Sequence, residues 1–177
     1  IGMVAGYYSI SGGSVLGYGD TLWTNPLNND TTFYVGYEFG SSTSISTTFA
    51  GGNGHDGNMF DIEVIGANDV NLEAVECNID GTGSIAVVVY YKIGSYSGFE
   101  QDATPWILQD SVEVIAQGAG NPTYVDIADL IIPQGSVIGM YISTTGAIDF
   151  DYTNGDNVYS DGDIQVTTGY GGAYPFN

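Results

Sequence analysis

"SIAVVVYYKIG", residues 84–94, is the stretch that decides the fold class. Successive residues of a strand point to opposite faces, so Ile85, Val87, Val89 and Tyr91 share one side, and Ala86, Val88 and Tyr90 the other. Both sides are apolar. Such a strand is central and covered twice, or it meets a partner. Its β-branched and aromatic residues favour the pleated conformation, and no apolar pattern of helical period runs ten residues or more anywhere in the chain. The class is all-β.

Working outward, "MFDIEVIG" (59–66) alternates. Phe60, Ile62 and Val64 are expected to face in, and Asp61 and Glu63 to face water. In "VNLEAVECNID" (70–80) the apolar phase begins with Val70 and Leu72, then shifts to Val75, Cys77 and Ile79. One extra residue near Ala74 reconciles the two phases, so a β-bulge is expected there. "TPWILQDSVEVIA", "TYVDIADLIIP", "SVIGMYIST", "AIDFDYT" and "GDIQVTT" follow, separated by Gly, Asn and Asp turns. Eight or so short strands at this rhythm predict an antiparallel β-sandwich, jelly-roll or Ig-like. Residues 41–48, "SSTSISTT", read as a linker, which divides the chain into residues 1–40 and residues 49–177.

The net charge of −20 comes from the scarcity of bases, because charged residues are only 12% of the chain. Lys92 is the single Lys or Arg, and His55 the single His. Nothing here can neutralise phosphates, so nucleic acid and anionic membrane surfaces are excluded as partners. Calcium or another hard cation is the natural counter-charge. Cys77 has no partner for a disulfide and reads as a buried, inert thiol. No stretch reaches eighteen apolar residues, so no membrane span is expected.

Residues 6–38, "GYYSISGGSVLGYGDTLWTNPLNNDTTFYVGYE", resemble the back half of the Ig-like modules of large bacterial surface proteins exported by the type IX route. The resemblance lies in an aromatic pair, then "GG..LG.G", "T.PL" and "TTFYV". It implies that residues 1–40 are a partial Ig-like segment. Residues 46–177 resemble a β-sandwich domain of unknown function that follows such modules. Its matching phrases are "TTFAGGNGHDGNMFDIEV", "VVVYYKIGSYSGFE", "GAGNPTYVDI" and "GYGGAYPFN". The resemblance implies an extracellular or cell-surface setting, a non-enzymatic, adhesive or structural use, and one more strand beyond "YPF". It also marks Thr21, Thr31 and Ser111 as O-glycosylation acceptors, in Asp20-Thr21-Leu22, Asp30-Thr31-Thr32 and Asp110-Ser111-Val112. Asn29-Asp30-Thr31 fits the N-linked acceptor pattern as well, whereas Pro122 rules out Asn121.

For catalysis the inventory is poor. His55 sits in "GGNGHDGN", a glycine-rich turn, and no acid is marked as special, so no enzyme is expected. The best metal stretch is "DFDYTNGDNVYSDGD" (149–163), where Asp149, Asp151, Asp156, Asp161 and Asp163 are candidate calcium ligands. The competing reading is a solvated acidic turn. Trp23 and Trp106 are candidate stacking platforms for sugar rings, against the alternative that Trp106 packs the core.

These readings converge on a structural protein: a subunit of a surface filament or adhesin that partners copies of itself, with a carbohydrate-binding module as the alternative. In "MVAGYYSI", Met3, Val4, Tyr7, Tyr8 and Ile10 supply largely apolar faces to a strand whose neighbours an incomplete module would lack. A free edge of that kind suits strand complementation, so residues 1–10 are expected to pair with an adjacent copy, head to tail. The missing last strand would leave the receiving groove.

Overall fold

The computed structural model describes residues 3–8, 15–18, 34–39, 42–49, 51–146, 148–155 and 157–176. The chain divides into two units, Ile1–Ser44 and Ile45–Asn177. The first contains strands β1 (Met3–Tyr8), β2 (Val15–Tyr18) and β3 (Tyr34–Phe39), in the order β2-β1-β3 and antiparallel throughout.

Residues 1–10, expected to pair with an adjacent copy, include β1. Met3–Tyr8 is paired along its length to β3, and Gly6–Tyr8 is also paired to β2. The segment holding Met3, Val4, Tyr7 and Tyr8 is therefore the central strand of a sheet within its own chain; Ile10 lies outside the described residues. The physical reason is proximity. Closing a short loop costs little entropy, and it satisfies the strand's backbone without the cost of bringing two molecules together.

The second unit holds β4 (Asn53–His55), β5 (Gly57–Val64), β6 (Val70–Asn78), β7 (Thr82–Ile93) and β8 (Ile107–Gln117). They are followed by β9 (Pro122–Ile132), β10 (Val137–Thr144), β11 (Phe150–Tyr152), β12 (Val158–Ser160) and β13 (Ile164–Gly172). Six of them form one antiparallel sheet, β12-β13-β5-β10-β7-β8. Opposite it lie the pairs β6-β9 and β11-β4, joined by a bridge between Ile79 and Phe150. The unit is an antiparallel β-sandwich.

β7 sits inside the six-stranded sheet, between β10 and β8, and is covered on both faces. Ile85, Val87 and Val89 enter the main core, with Ile62, Val64, Met140 and Ile142 from the same sheet and Cys77, Ile79, Val125 and Ile132 from the facing layer. Full burial of each such side chain contributes about 1.5–3 kcal/mol. Val88 and Tyr90 turn to the other face. The expected shift in β6 is present: pairing with β9 breaks register between Leu72 and Ala74. Val70, Leu72 and then Val75 pack on the core, followed by buried Cys77 and Ile79.

The edges are managed. At one side of the sandwich β8 meets β9 through side chains: Gln109 Nε2 donates to the Ala128 carbonyl at 2.8 Å, and Asp110 Oδ2 accepts the Ala128 amide at 2.7 Å. At the other side the edge strand β12 is only three residues long, and its Tyr159 hydroxyl meets Thr48 Oγ1 at 2.6 Å. Short or covered edges resist unwanted pairing. Among the described residues no helix is long and apolar enough to cross a membrane.

Candidate functional site

The outer face of the six-stranded sheet carries a second core. Met59 from β5 and Tyr141 from β10 form its floor, and Trp106 and Phe176 close over them, all four buried. The rings meet at angles: Tyr141 and Phe176 have centroids 5.0 Å apart, Trp106 and Phe176 5.6 Å, and Tyr90 and Phe176 5.2 Å edge-on. Trp106 Nε1 donates to the Phe99 carbonyl at 3.0 Å. Burial holds the Tyr141 hydroxyl above its ordinary pKa, with the Asp56 charge adding to it. Burial, then the hydrogen bond with Tyr174, does the same for Tyr90.

Two chain segments make this roof, residues 94–106 and 173–176. The second is held by Asp56, whose Oδ2 accepts the Tyr174 amide at 2.8 Å, and Phe176 takes a left-handed φ of 58° to reach the ring cluster. The first is held by a row across three strands, Asp61, Gly139 and Lys92, which are register partners through β10. Asp61 accepts Ser95 Oγ at 2.6 Å and the Tyr96 amide at 2.8 Å. Lys92 Nζ donates to the carbonyls of Ser95 at 2.5 Å and Ile93 at 3.0 Å, and lies 4.4 Å from the Phe99 ring centroid. Asp61 thus takes the outer face as alternation suggests, but is half-buried there because a loop folds over it.

Gly139 lets that loop descend. A Cβ there would stand 2.7 Å from the Tyr96 amide nitrogen. Gly169 in β13 does the same for the ring, since its Cβ would stand 2.6 Å from the Tyr96 hydroxyl. Beside Gly169 the register with β5 jumps: Thr167 pairs with Asp61, but the next pair is Tyr170 with Met59. One extra residue in β13 turns Tyr170 from the main-core side to the outer face. There it borders an open depression of about 460 Å3, lined with Gly98, Glu100, Gln101 and Asp102. Hydrogen bonds from Thr104 lower the Asp102 pKa, so this carboxylate stays charged.

The residues singled out in the sequence fall in separate places. Asp149 and Asp151 flank Phe150 on β11, packed against Gly54 and Gly51 of the β4 region. Asp161 Oδ1 caps the turn before β13, accepting the amides of Asp163 and Ile164 at 2.9 Å each. Asp156 lies outside the described residues, and among those described no three His, Cys, Asp or Glu side chains gather to hold a metal. Trp106 is only 8% exposed, its faces turned to other rings rather than to solvent. Ser111 is exposed on the edge strand β8, while Thr21, Thr31 and Trp23 lie outside the described residues. His55 is exposed at the end of β4. Cys77 is buried, and burial, with Glu76 secondary, pushes its thiol from 9.0 up to about 12, the reverse of an activated nucleophile.

The depression beside Tyr170 coincides with none of the candidate residues drawn from the sequence. The available signal was "GYGG", because glycines inside a strand point to a bulge or a close approach. The chain matches no family model, no curated protein and no solved structure.

Proposed function

We propose that the chain is a non-enzymatic extracellular structural protein, a subunit of a bacterial surface filament or adhesin. The observation that carries this reading is the placement of Lys92. It is the single Lys or Arg, and it is 4% exposed, fixed to two carbonyls and a ring beneath the 94–106 segment on the outer face of the six-stranded sheet. A folded sandwich so built offers trypsin-like proteases no reachable basic residue among those described, which suits long residence outside the cell. The blunted edges of the sandwich and the doubly covered β7 suit a rigid building block. The resemblance of residues 6–38 and 46–177 to type IX-exported surface proteins supports the same setting. Ser111 then stands where an exported glycosyltransferase could reach it.

Negative-stain microscopy of the purified protein across a concentration series tests the assembly part. Regular fibres or end-to-end oligomers are expected. Single particles at every concentration, with a monomer mass by light scattering, would count against a filament subunit.

A further inference from the structure

We propose that the depression bordered by Tyr170 is a binding site for an uncharged hexose oligosaccharide. This goes beyond the assembly reading and does not depend on it.

Three independent features build the site. The first is the bulge in β13, which carries Tyr170 out of the main-core phase and onto the outer face. The ring is 41% exposed yet braced: a Cβ added at Gly172 would lie 3.3 Å from its Cε1, so one flank rests on backbone. A fixed aromatic flank with an open side is what the C–H face of a pyranose ring needs.

The second is a wall held by hydrogen bonds. The Phe99 carbonyl accepts both Trp106 Nε1 at 3.0 Å and the Asp102 amide at 3.3 Å, and Asp102 Oδ1 accepts the Thr104 amide at 2.9 Å. The same loop is pinned upstream by Asp61 and Lys92. Little further ordering is then needed when a ligand binds.

The third is chemical. Glu100, Gln101 and Asp102 line the depression as three consecutive planar polar side chains. Carboxylates and an amide accept from, and donate to, sugar hydroxyls in pairs. The local charge excludes uronic and sialic acids, and the chain's single Lys or Arg is buried beneath the loop with its Nζ already engaged by two carbonyls and the Phe99 ring, so an acidic sugar finds no counter-ion. The open shape admits a chain passing through rather than a single enclosed sugar.

The test titrates cellohexaose, mannohexaose and laminarihexaose into the 15N-labelled protein, with tetramethylammonium chloride as a cationic comparison. At least one oligosaccharide is expected to shift the amides of Gly98, Glu100, Gln101, Asp102 and Tyr170, with an affinity that salt leaves unchanged. Tyr170→Ala should weaken it about tenfold, and Tyr170→Phe, which keeps the ring, by less than about threefold. Tyr124→Ala, at an exposed tyrosine on β9, should leave it within about twofold, and unchanged melting of the variants separates a lost site from a lost fold. The proposal is overturned by absence of shifts with all three sugars, by shifts elsewhere on the surface, by Tyr170→Ala binding as wild type, or by tetramethylammonium binding alone.

Discussion

Asp61 and Lys92 hold the same residue from opposite sides: the Ser95 hydroxyl donates to Asp61, and the Ser95 carbonyl accepts from Lys92. The acid and the base lie on β5 and β7, with Gly139 of β10 between them in one row. Their joint effect is to bind the 94–106 segment to the outer face of the sheet, over the second core and beside the depression.

Removing the acid should loosen that segment. Asp61→Ala leaves the Tyr96 amide without its acceptor and is expected to cost about 2–4 kcal/mol, since hydrogen bonds to charged groups are worth about 1.5–3 kcal/mol each. Asp61→Asn should cost less, because the amide oxygen still accepts from Tyr96. Urea denaturation of the three proteins measures the order; equal midpoints would contradict the role given to Asp61.

Adding a methyl group should do similar damage from below. Gly139→Ala places a Cβ 2.7 Å from the Tyr96 nitrogen and 3.0 Å from its Cα, and both are backbone that cannot swing aside. Overpacking of this kind costs about 1–3 kcal/mol. The expected readout is a lowered melting temperature with a red-shifted Trp106 emission, as the Phe99 carbonyl withdraws from Nε1. A variant as stable as wild type, with unchanged emission, would show that the loop does not seat on Gly139.

The extent to which this was legible in sequence differs by element. The two apolar faces of β7 and the phase shift before Val75 are local patterns, and period two reveals them directly. Alternation places Asp61 on the outer face, but it does not report what later folds over that face. The second core draws Met59, Trp106, Tyr141 and Phe176 from four distant segments, and nothing local links them. Tyr170 changed faces through one extra residue, a shift that only the register with β5 exposes. The pairing of β1 with β2 and β3 is likewise invisible locally, because the apolar pattern of Met3–Tyr8 does not name the strands it pairs with.

Cys77 gives the pH dependence. Its folded-state pKa is raised from 9.0 to about 12, so folding favours the neutral thiol. The stability this supplies is fully present below pH 9 and is lost as pH rises towards 12, where the unfolded thiol ionises and the buried one does not. Relative to Cys77→Ala, the wild type should lose stability across that window and not below it. At about pH 8 the native thiol should also resist Ellman's reagent and react only on unfolding. Rapid labelling of the native protein, or parallel stability curves for the two proteins, would contradict the burial.

Lys92 predicts protease behaviour. Unfolded in urea, the chain should be cut by trypsin after Lys92 alone, giving residues 1–92 and 93–177. Folded, with Lys92 4% exposed inside β7, it should stay intact under the same treatment. Equal cleavage rates in the two states would show that β7 opens readily.

The central claim, an extracellular structural role, is tested most directly in the organism that makes the protein. Immunogold labelling of intact cells, with antibodies raised against the folded sandwich, reports location and assembly together. The account predicts gold on the outer surface, aligned along fibres or appendages and lost after mechanical shearing. Gold that appears only in sectioned cells, confined to their interior, would contradict it.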